Sequence, residues 1–220
     1  MVDDNQKNRG HDPLSKEEFC RFCKLAYERH LVTGSGGNMA MRFGEEIYLT
    51  PSGSCLRDME PDMVVTVDSD GHLLDGDNPS IEAGMHIGVL RNRPDINVVC
   101  HVHGAYIIAV STMLYSSPKS LPPLTPGFVY HAYPLPMVPF IVPGTKLLAD
   151  TVTRELSRKK CCAVLLQNHG LVTLGRNFDE AFNAAEEIDD AARIYVLTNG
   201  KAQSIPSKDV ARIGKVENNG

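Results

Sequence analysis

The sequence predicts a single α/β domain, and three observations carry that reading. Segments with helical spacing and segments with strand-like alternation are interleaved along the chain rather than gathered into blocks. The 220 residues are 42% hydrophobic and 22% charged, enough to bury one sizeable core and barely enough for two. No internal repeat is present, and low-complexity sequence is confined to the ends. The expected organisation is a polar tail over 1–13, one domain over 14–206 and a second polar tail over 207–220.

The elements follow in order. Ser15-Lys16-Glu17-Glu18 reads as a capping box, because Ser and Glu three apart can satisfy each other's exposed backbone donors. Phe19, Phe22, Cys23 and Ala26 then recur at helical spacing, until Gly34-Ser35-Gly36-Gly37-Asn38 breaks the pattern. Short strand-like runs cover 46–50 and 64–67. Residues 79–93 read as a helix with Ser80 as N-cap and Pro94 just past its end. The β-branched, alternating run 96–103 is a strand. A proline-rich connection spans 118–143. A further strand over 161–166 is interrupted at Asn168-His169-Gly170 and resumes over 171–174, and a helix over 179–198 stops at Gly200.

Charge and hydropathy exclude several functions. The chain carries 22 Lys plus Arg against 27 Asp plus Glu, a formal net charge of -5, whereas general nucleic-acid or anionic-membrane binding needs a basic surface. The first residues are polar and no apolar run reaches membrane-spanning length, so the expectation is a cytoplasmic protein. Six cysteines are present. Cys20-x-x-Cys23 invites a metal or redox reading but lies inside an amphipathic helical pattern with no second pair at zinc-site spacing, so it reads as core, as do Cys161 and Cys162.

The strongest chemical signal is His101-Val102-His103. Residues two apart on a strand share a face, so both imidazoles can reach one ion; the plain alternative is two strand histidines with ordinary partners. His169 adds weight. It interrupts an apolar strand just before a glycine, where packing alone favours Val or Leu, and such local rule-breaking tends to mark sites. Three histidines with an open fourth position suit catalytic Zn²⁺. Glu82, early in the helix after Ser80, is a candidate acid/base beside the metal, although an acid near a helix N-terminus is also favoured by the macrodipole alone. Gly37-Asn38, Thr50-Pro51-Ser52-Gly53 and Ser80 form small-residue loops and a helix start whose N–H groups and hydroxyls could hold a phosphate; each by itself is an ordinary turn more often than a site.

In combination these residues resemble the class II aldolase/adducin family, which includes fuculose-phosphate aldolase, ribulose-phosphate 4-epimerase, methylthioribulose-phosphate dehydratase and 3-oxo-tetronate 4-phosphate decarboxylase. The matching motifs are Gly36-Gly37-Asn38-Met39-Ala40, Thr50-Pro51-Ser52-Gly53, Pro79-Ser80-Ile81-Glu82, His101-Val102-His103 and Asn168-His169-Gly170, and the resemblance covers about 14–205. It implies that His101, His103 and His169 bind Zn²⁺, or another divalent ion such as Mn²⁺ or Co²⁺. It also implies that Glu82 is the acid/base and that Gly37, Asn38, Ser52, Gly53 and Ser80 cradle the substrate phosphate. The implied fold is a three-layer α/β/α domain, the implied assembly a C4 homotetramer with interface sites, and the implied substrate a small phosphorylated ketose or sugar acid.

The implied chemistry is carbon–carbon bond cleavage through a metal-stabilised enediolate. Retro-aldol cleavage comes first as the family's broader reaction, with decarboxylation close behind; an epimerase or a non-catalytic adducin-head-like module ranks below both. Departures from the family patterns bear on that order. Ile81 stands where the aldolase pattern has a second serine and the decarboxylase pattern commonly a lysine. Leu121-Pro122-Pro123-Leu124-Thr125-Pro126 resembles the decarboxylase subgroup, and the aldolase tyrosine near Thr125 is missing, with Tyr130 and Tyr133 nearby but unplaced. The epimerase depends on a tyrosine near the C-terminus, and none follows Tyr195. His131 is either a loop residue in solvent or a substrate contact across a subunit interface.

Overall fold

Ser15 starts the first helix, α1 (Lys16–Glu28), its hydroxyl accepting from the Glu18 N–H at 3.1 Å. The computed structural model to which this helix belongs describes residues 15–114 and 120–213. Phe19, Cys20, Phe22, Cys23 and Ala26 form the buried stripe of α1, so the two cysteines are core residues, with Cys23 Sγ 3.8 Å from Met39 Sδ.

Eight strands make one sheet: β1 (Asn38–Phe43), β2 (Glu46–Leu49), β3 (Val65–Asp68), β4 (Leu73–Asp75), β5 (Val98–Val102), β6 (Met137–Val138), β7 (Ala163–Leu166) and β8 (Gly170–Gly175). Their order is β4-β3-β2-β1-β5-β8-β7-β6. All neighbouring pairs are antiparallel except β6 and β7. The remaining helices are α2 (Ala83–Asn92), α3 (Ala105–Met113), α4 (Pro126–Ala132), α5 (Lys146–Leu156), α6 (Phe178–Leu197) and α7 (Ser207–Ile213).

Alternation along the strands splits the core in two. Met39, Met41, Val98, Cys100, Val102 and Leu165 pack with buried residues of α1, α3, α4 and α6. Ala40, Ile47, Leu49, Val99, Val164 and Val172 face α2 and α5. Strands buried on both faces read as near-continuous apolar runs, and the result is the three-layer α/β/α domain the family resemblance implies. Among the described residues no helix is long and apolar enough to cross a membrane.

Two local expectations need correction. The helix expected from Ser80 begins at Ala83, with Glu82 in the N-cap position. The chain at 79–80 is held extended by a bridge between Pro51 and Pro79 and by Ser80 N–H donating to the Thr50 carbonyl at 3.0 Å. Ser80 Oγ instead accepts from Glu82 N–H at 3.3 Å, closing a turn just ahead of the helix. Second, the proline-rich connection is not featureless: it contains α4, capped by Thr125, and the short β6. Residues 207–213, in the polar end of the sequence, form α7, which packs beside α4.

Candidate metal centre

The centre of the sheet sets the ligand positions. His101 lies in β5, paired with Asn38 of β1 on one side and Val172 of β8 on the other, with its ring fully buried. His103 follows two residues on, just past the strand end, where its N–H donates to the Leu31 carbonyl at 2.8 Å. The period of two puts both rings on one face. His169 sits in the tight turn from β7 to β8, after Asn168 with φ 54°. That turn is tied down by Asn168 N–H donating to Ser111 Oγ at 2.9 Å and by His169 N–H donating to the Leu166 carbonyl at 3.2 Å.

Gly170 is dictated by this crowding. A Cβ there would lie 2.4 Å from the Val102 carbonyl oxygen and 2.7 Å from His103 Cδ2. Gly36 plays the same part on the other flank, where a Cβ would come within 2.9 Å of His103 Nδ1.

The ligand atoms converge. His103 Nε2 is 2.9 Å and His169 Nε2 3.3 Å from His101 Nε2. Glu82 Oε2 is 3.1 Å from His101 Nε2, and Glu82 Oε1 is 3.5 Å from His169 Nε2. As N-cap residue, Glu82 makes no capping bond; its side chain turns toward the histidines instead. Among the described residues this is the one group of three or more His, Cys, Asp or Glu side chains close enough to hold an ion, its ligand atoms all within 4.8 Å of one another.

The donor chemistry fits a divalent cation. His101 Nδ1 donates to the Leu171 carbonyl at 3.0 Å, which leaves the Nε2 lone pair facing inward. That lone pair meets two further imidazole nitrogens and a carboxylate, a nitrogen and oxygen donor set of the kind that binds a divalent cation. Glu82 Oε1 and His169 Nδ1 are buried without a hydrogen-bond partner. Burial pushes the His103 ring down to about 3 and the His169 ring down to about 4, so both are neutral, as ligands must be. Burial would raise the Glu82 carboxyl, but His101, Asn38 and His169 outweigh it and hold the group well below the usual carboxylate range.

A cavity of about 410 Å³ opens beside this group, bordered by Gly37, Asn38, Ser52, Gly53 and Ser80 together with Glu82, His103 and His169. All five residues expected to cradle a phosphate therefore share one space with the acid and two of the histidines. The Asn38 side chain is otherwise committed, its amide donating to Glu82 Oε2 at 2.9 Å and its oxygen meeting His86 Nε2. Ser35 and Ser54 also border the cavity and were not singled out from the sequence, although both lie in or beside the small-residue loops that were. Thr125, Tyr130, His131 and Tyr133 do not border it. Thr125 caps α4 by accepting from Phe128 N–H at 3.1 Å, and the His131 ring lies against Tyr130.

The Class II Aldolase and Adducin N-terminal domain family matches residues 17–196. The chain belongs to this family. Among curated relatives, a 3-oxo-tetronate 4-phosphate decarboxylase from Pectobacterium atrosepticum is 32% identical, covering 90% of this chain and 92% of its own. An L-fuculose phosphate aldolase from Methanocaldococcus jannaschii is also 32% identical, covering 84% and 97%. Among solved structures, a Klebsiella pneumoniae protein described by all three of aldolase, epimerase and decarboxylase superposes with a TM-score of 0.83 at 29% identity, covering 90% of this chain and 96% of its own. An L-fuculose 1-phosphate aldolase superposes with a TM-score of 0.81 at 26% identity, covering 91% and 94%. Class II aldolases use a divalent metal, and the Glu82, His101, His103 and His169 group is where this chain could hold one.

Proposed function

We propose that this class II aldolase family member is a Zn²⁺-dependent carbon–carbon lyase that decarboxylates a small phosphorylated 3-oxo sugar acid. The observation that carries the reading is the single ionised carboxylate, Glu82, set between a three-histidine cage and the small-residue loops of one cavity. His101, His103 and His169 hold the ion, which when bound supplies Lewis-acid stabilisation of negative charge on substrate oxygens. Backbone N–H groups at Gly37 and Gly53, with the Ser52 and Ser80 hydroxyls, hold the phosphate; Asn38 contributes its backbone position.

Glu82 does the proton work. Ionised at rest, it takes the proton of the substrate hydroxyl next to the carboxylate. Loss of carbon dioxide leaves an enediolate, and Glu82 returns the proton to its carbon, while solvent reprotonates the oxygen. One acid/base group suffices for this sequence. A retro-aldol cleavage also needs a base at the hydroxyl on the far side of the breaking bond, and the described residues bordering the cavity include no tyrosine or lysine for that role. Decarboxylation therefore stands ahead of retro-aldol cleavage, the reverse of the order the family resemblance implies.

Retro-aldol cleavage of a ketose phosphate is the second reading, favoured by the relatives named L-fuculose phosphate aldolase. A homotetramer with interface sites fits the exposed apolar residues Ile81, Phe140, Val142 and Leu147, since Ile81 also borders the cavity. The six free cysteines fit a cytoplasmic location. The test incubates zinc-loaded protein with 3-oxo-tetronate 4-phosphates and ketose 1-phosphates, following carbon dioxide and aldehyde in parallel. Chelator-sensitive carbon dioxide release is expected. Aldehyde release alone replaces decarboxylation by the second reading, and turnover undiminished after metal removal overturns both.

A further inference from the structure

Behind Glu82 runs a polar chain that the reaction above does not use. His86 is fully buried one turn along α2 from Glu82, on a helix whose other buried residues are Ala83, Met85, Val89 and Leu90. Its Nε2 meets Asn38 Oδ1, and Asn38 Nδ2 donates to Glu82 Oε2 at 2.9 Å. Chemistry fixes the direction of each bond. The Asn38 NH₂ group faces Glu82 and its carbonyl oxygen faces His86, and a carbonyl oxygen only accepts. His86 must then donate through an Nε2–H, leaving the lone pair on Nδ1, which is buried without a hydrogen-bond partner. Burial pushes the His86 ring down to about 3, in keeping with one fixed neutral tautomer.

The two carboxylate oxygens end up unequal. Oε2 accepts from Asn38 and lies 3.1 Å from His101 Nε2. Oε1 has no hydrogen-bond partner and lies 3.5 Å from His169 Nε2. We propose that His86 is a positioning residue that locks the Asn38 amide, so that Glu82 Oε2 is held and Oε1 is the oxygen that carries the proton. Among the described residues His86 is the partner that holds Asn38 Oδ1; without its donor the amide is free to flip on that side, and a flipped amide would set its carbonyl oxygen against the carboxylate and push it off station. The kinetic consequence rests on Glu82 being the acid/base of the proposed reaction; the tautomer and the amide orientation do not.

The test uses the full zinc-loaded chain and two variants. His86→Leu removes the donor, whereas His86→Gln places an amide NH₂ where Nε2–H stood. Supporting partners of this kind typically change activity or metal affinity about 10–100-fold, and here the loss should fall on kcat. The expected result is a kcat for His86→Leu reduced by that factor, with KM and bound zinc within about threefold of the parent and most of kcat restored in His86→Gln. His86→Leu turning over at the parental rate with zinc retained overturns the proposal. So does an equal loss in both variants accompanied by equal loss of zinc, which marks a merely structural residue. A long-range ¹H–¹⁵N spectrum of the histidines gives a readout free of any substrate. If no substrate of the panel is turned over, the proposed reaction falls, while this spectrum still decides the present point. His86 as the Nε2–H tautomer, with an Asn38 side-chain amide resonance that moves in His86→Leu and returns in His86→Gln, supports it; an Nδ1–H tautomer overturns it. Should His86→Leu fail to fold, the parental tautomer and His86→Gln carry the same decision.

Discussion

Gly170→Ala is a one-methyl perturbation aimed at the joint between β8 and the metal ligands. The added Cβ would stand 2.4 Å from the Val102 carbonyl oxygen, 2.7 Å from His103 Cδ2 and 3.3 Å from His101 Cε1. Ordinary non-bonded separations are about 3.5 Å, so the first two contacts must each open by roughly 1 Å. The carbonyl belongs to the backbone of a central strand and cannot swing aside, so β8 must lift from β5 or the His103 ring must rotate out of place. Overpacking of this kind costs about 1–3 kcal/mol. In a chain of this size each kcal/mol lowers Tm by about 2–4 °C, giving an expected drop of about 5 °C. Metal sites tolerate ligand errors of only about 0.2 Å, so zinc affinity should fall at least about tenfold. Differential scanning calorimetry and a chelator competition titration read the two effects separately. A variant that melts within about 1 °C of the parent and binds zinc equally well would refute the claim that Gly170 is required by close approach to the ligands.

Four further outcomes are expected. His103→Ala should abolish turnover and bound zinc while leaving the helical circular dichroism largely intact, since His103 lies past the end of β5 and half in the cavity. Glu82→Gln should keep zinc on the three histidines yet lose about 10²–10⁴-fold in kcat, measured on the zinc-loaded protein. Burial, reinforced by the neighbouring Asp190, raises the Asp189 carboxyl to about 6. The folded chain thus keeps this proton where the unfolded chain has released it, so the group lowers stability as pH rises from about 4 to about 6. Asp189→Asn should flatten that slope in Tm measured across this range. Arg93 Nη1 donates at 2.9 Å to both the Leu156 and Cys161 carbonyls, while Nη2 pairs with Asp95 at 2.8 Å. Arg93→Met strands those acceptors and should cost about 3 kcal/mol in urea unfolding.

Why some elements were legible and others not follows from what each had to do. β5 and the pair β7 and β8 announce themselves because Val and Leu run together or recur between turn signals. β1 does not: Met39-Ala40-Met41 has no β-branched residue, and the strand exists because β2 and β5 offer ladders on both its edges. α3 is apolar nearly all round, so no stripe betrays it. In α5, Leu148, Val152 and Leu156 recur at helical spacing, a pattern obscured by the prolines just before it. Ser80 spells an N-cap correctly in isolation, yet the Pro51–Pro79 bridge holds its backbone extended and delays the helix.

The site divides along the same line between local and long-range information. His101 and His103 were readable from a period of two, and His169 from breaking an apolar run. Glu82 and the loop residues were only weak candidates from the residues themselves, because each is an ordinary turn or cap residue by itself, and the resemblance is what singled them out. His86 left no usable signal: a histidine on the buried face of a helix reads as core, and its partner Asn38 is 48 residues away. What joins them is register. Asn38 pairs directly with His101 across β1 and β5, on the same sheet face, and that pairing brings the amide between His86 and Glu82. A one-residue slip would send Asn38 to the opposite face, toward α1 and α6, and leave both His86 and the held oxygen of Glu82 without their shared partner. The apolar residues flanking Asn38 in β1, alternating between the two cores, thus fix the orientation of the acid as firmly as any residue that touches it.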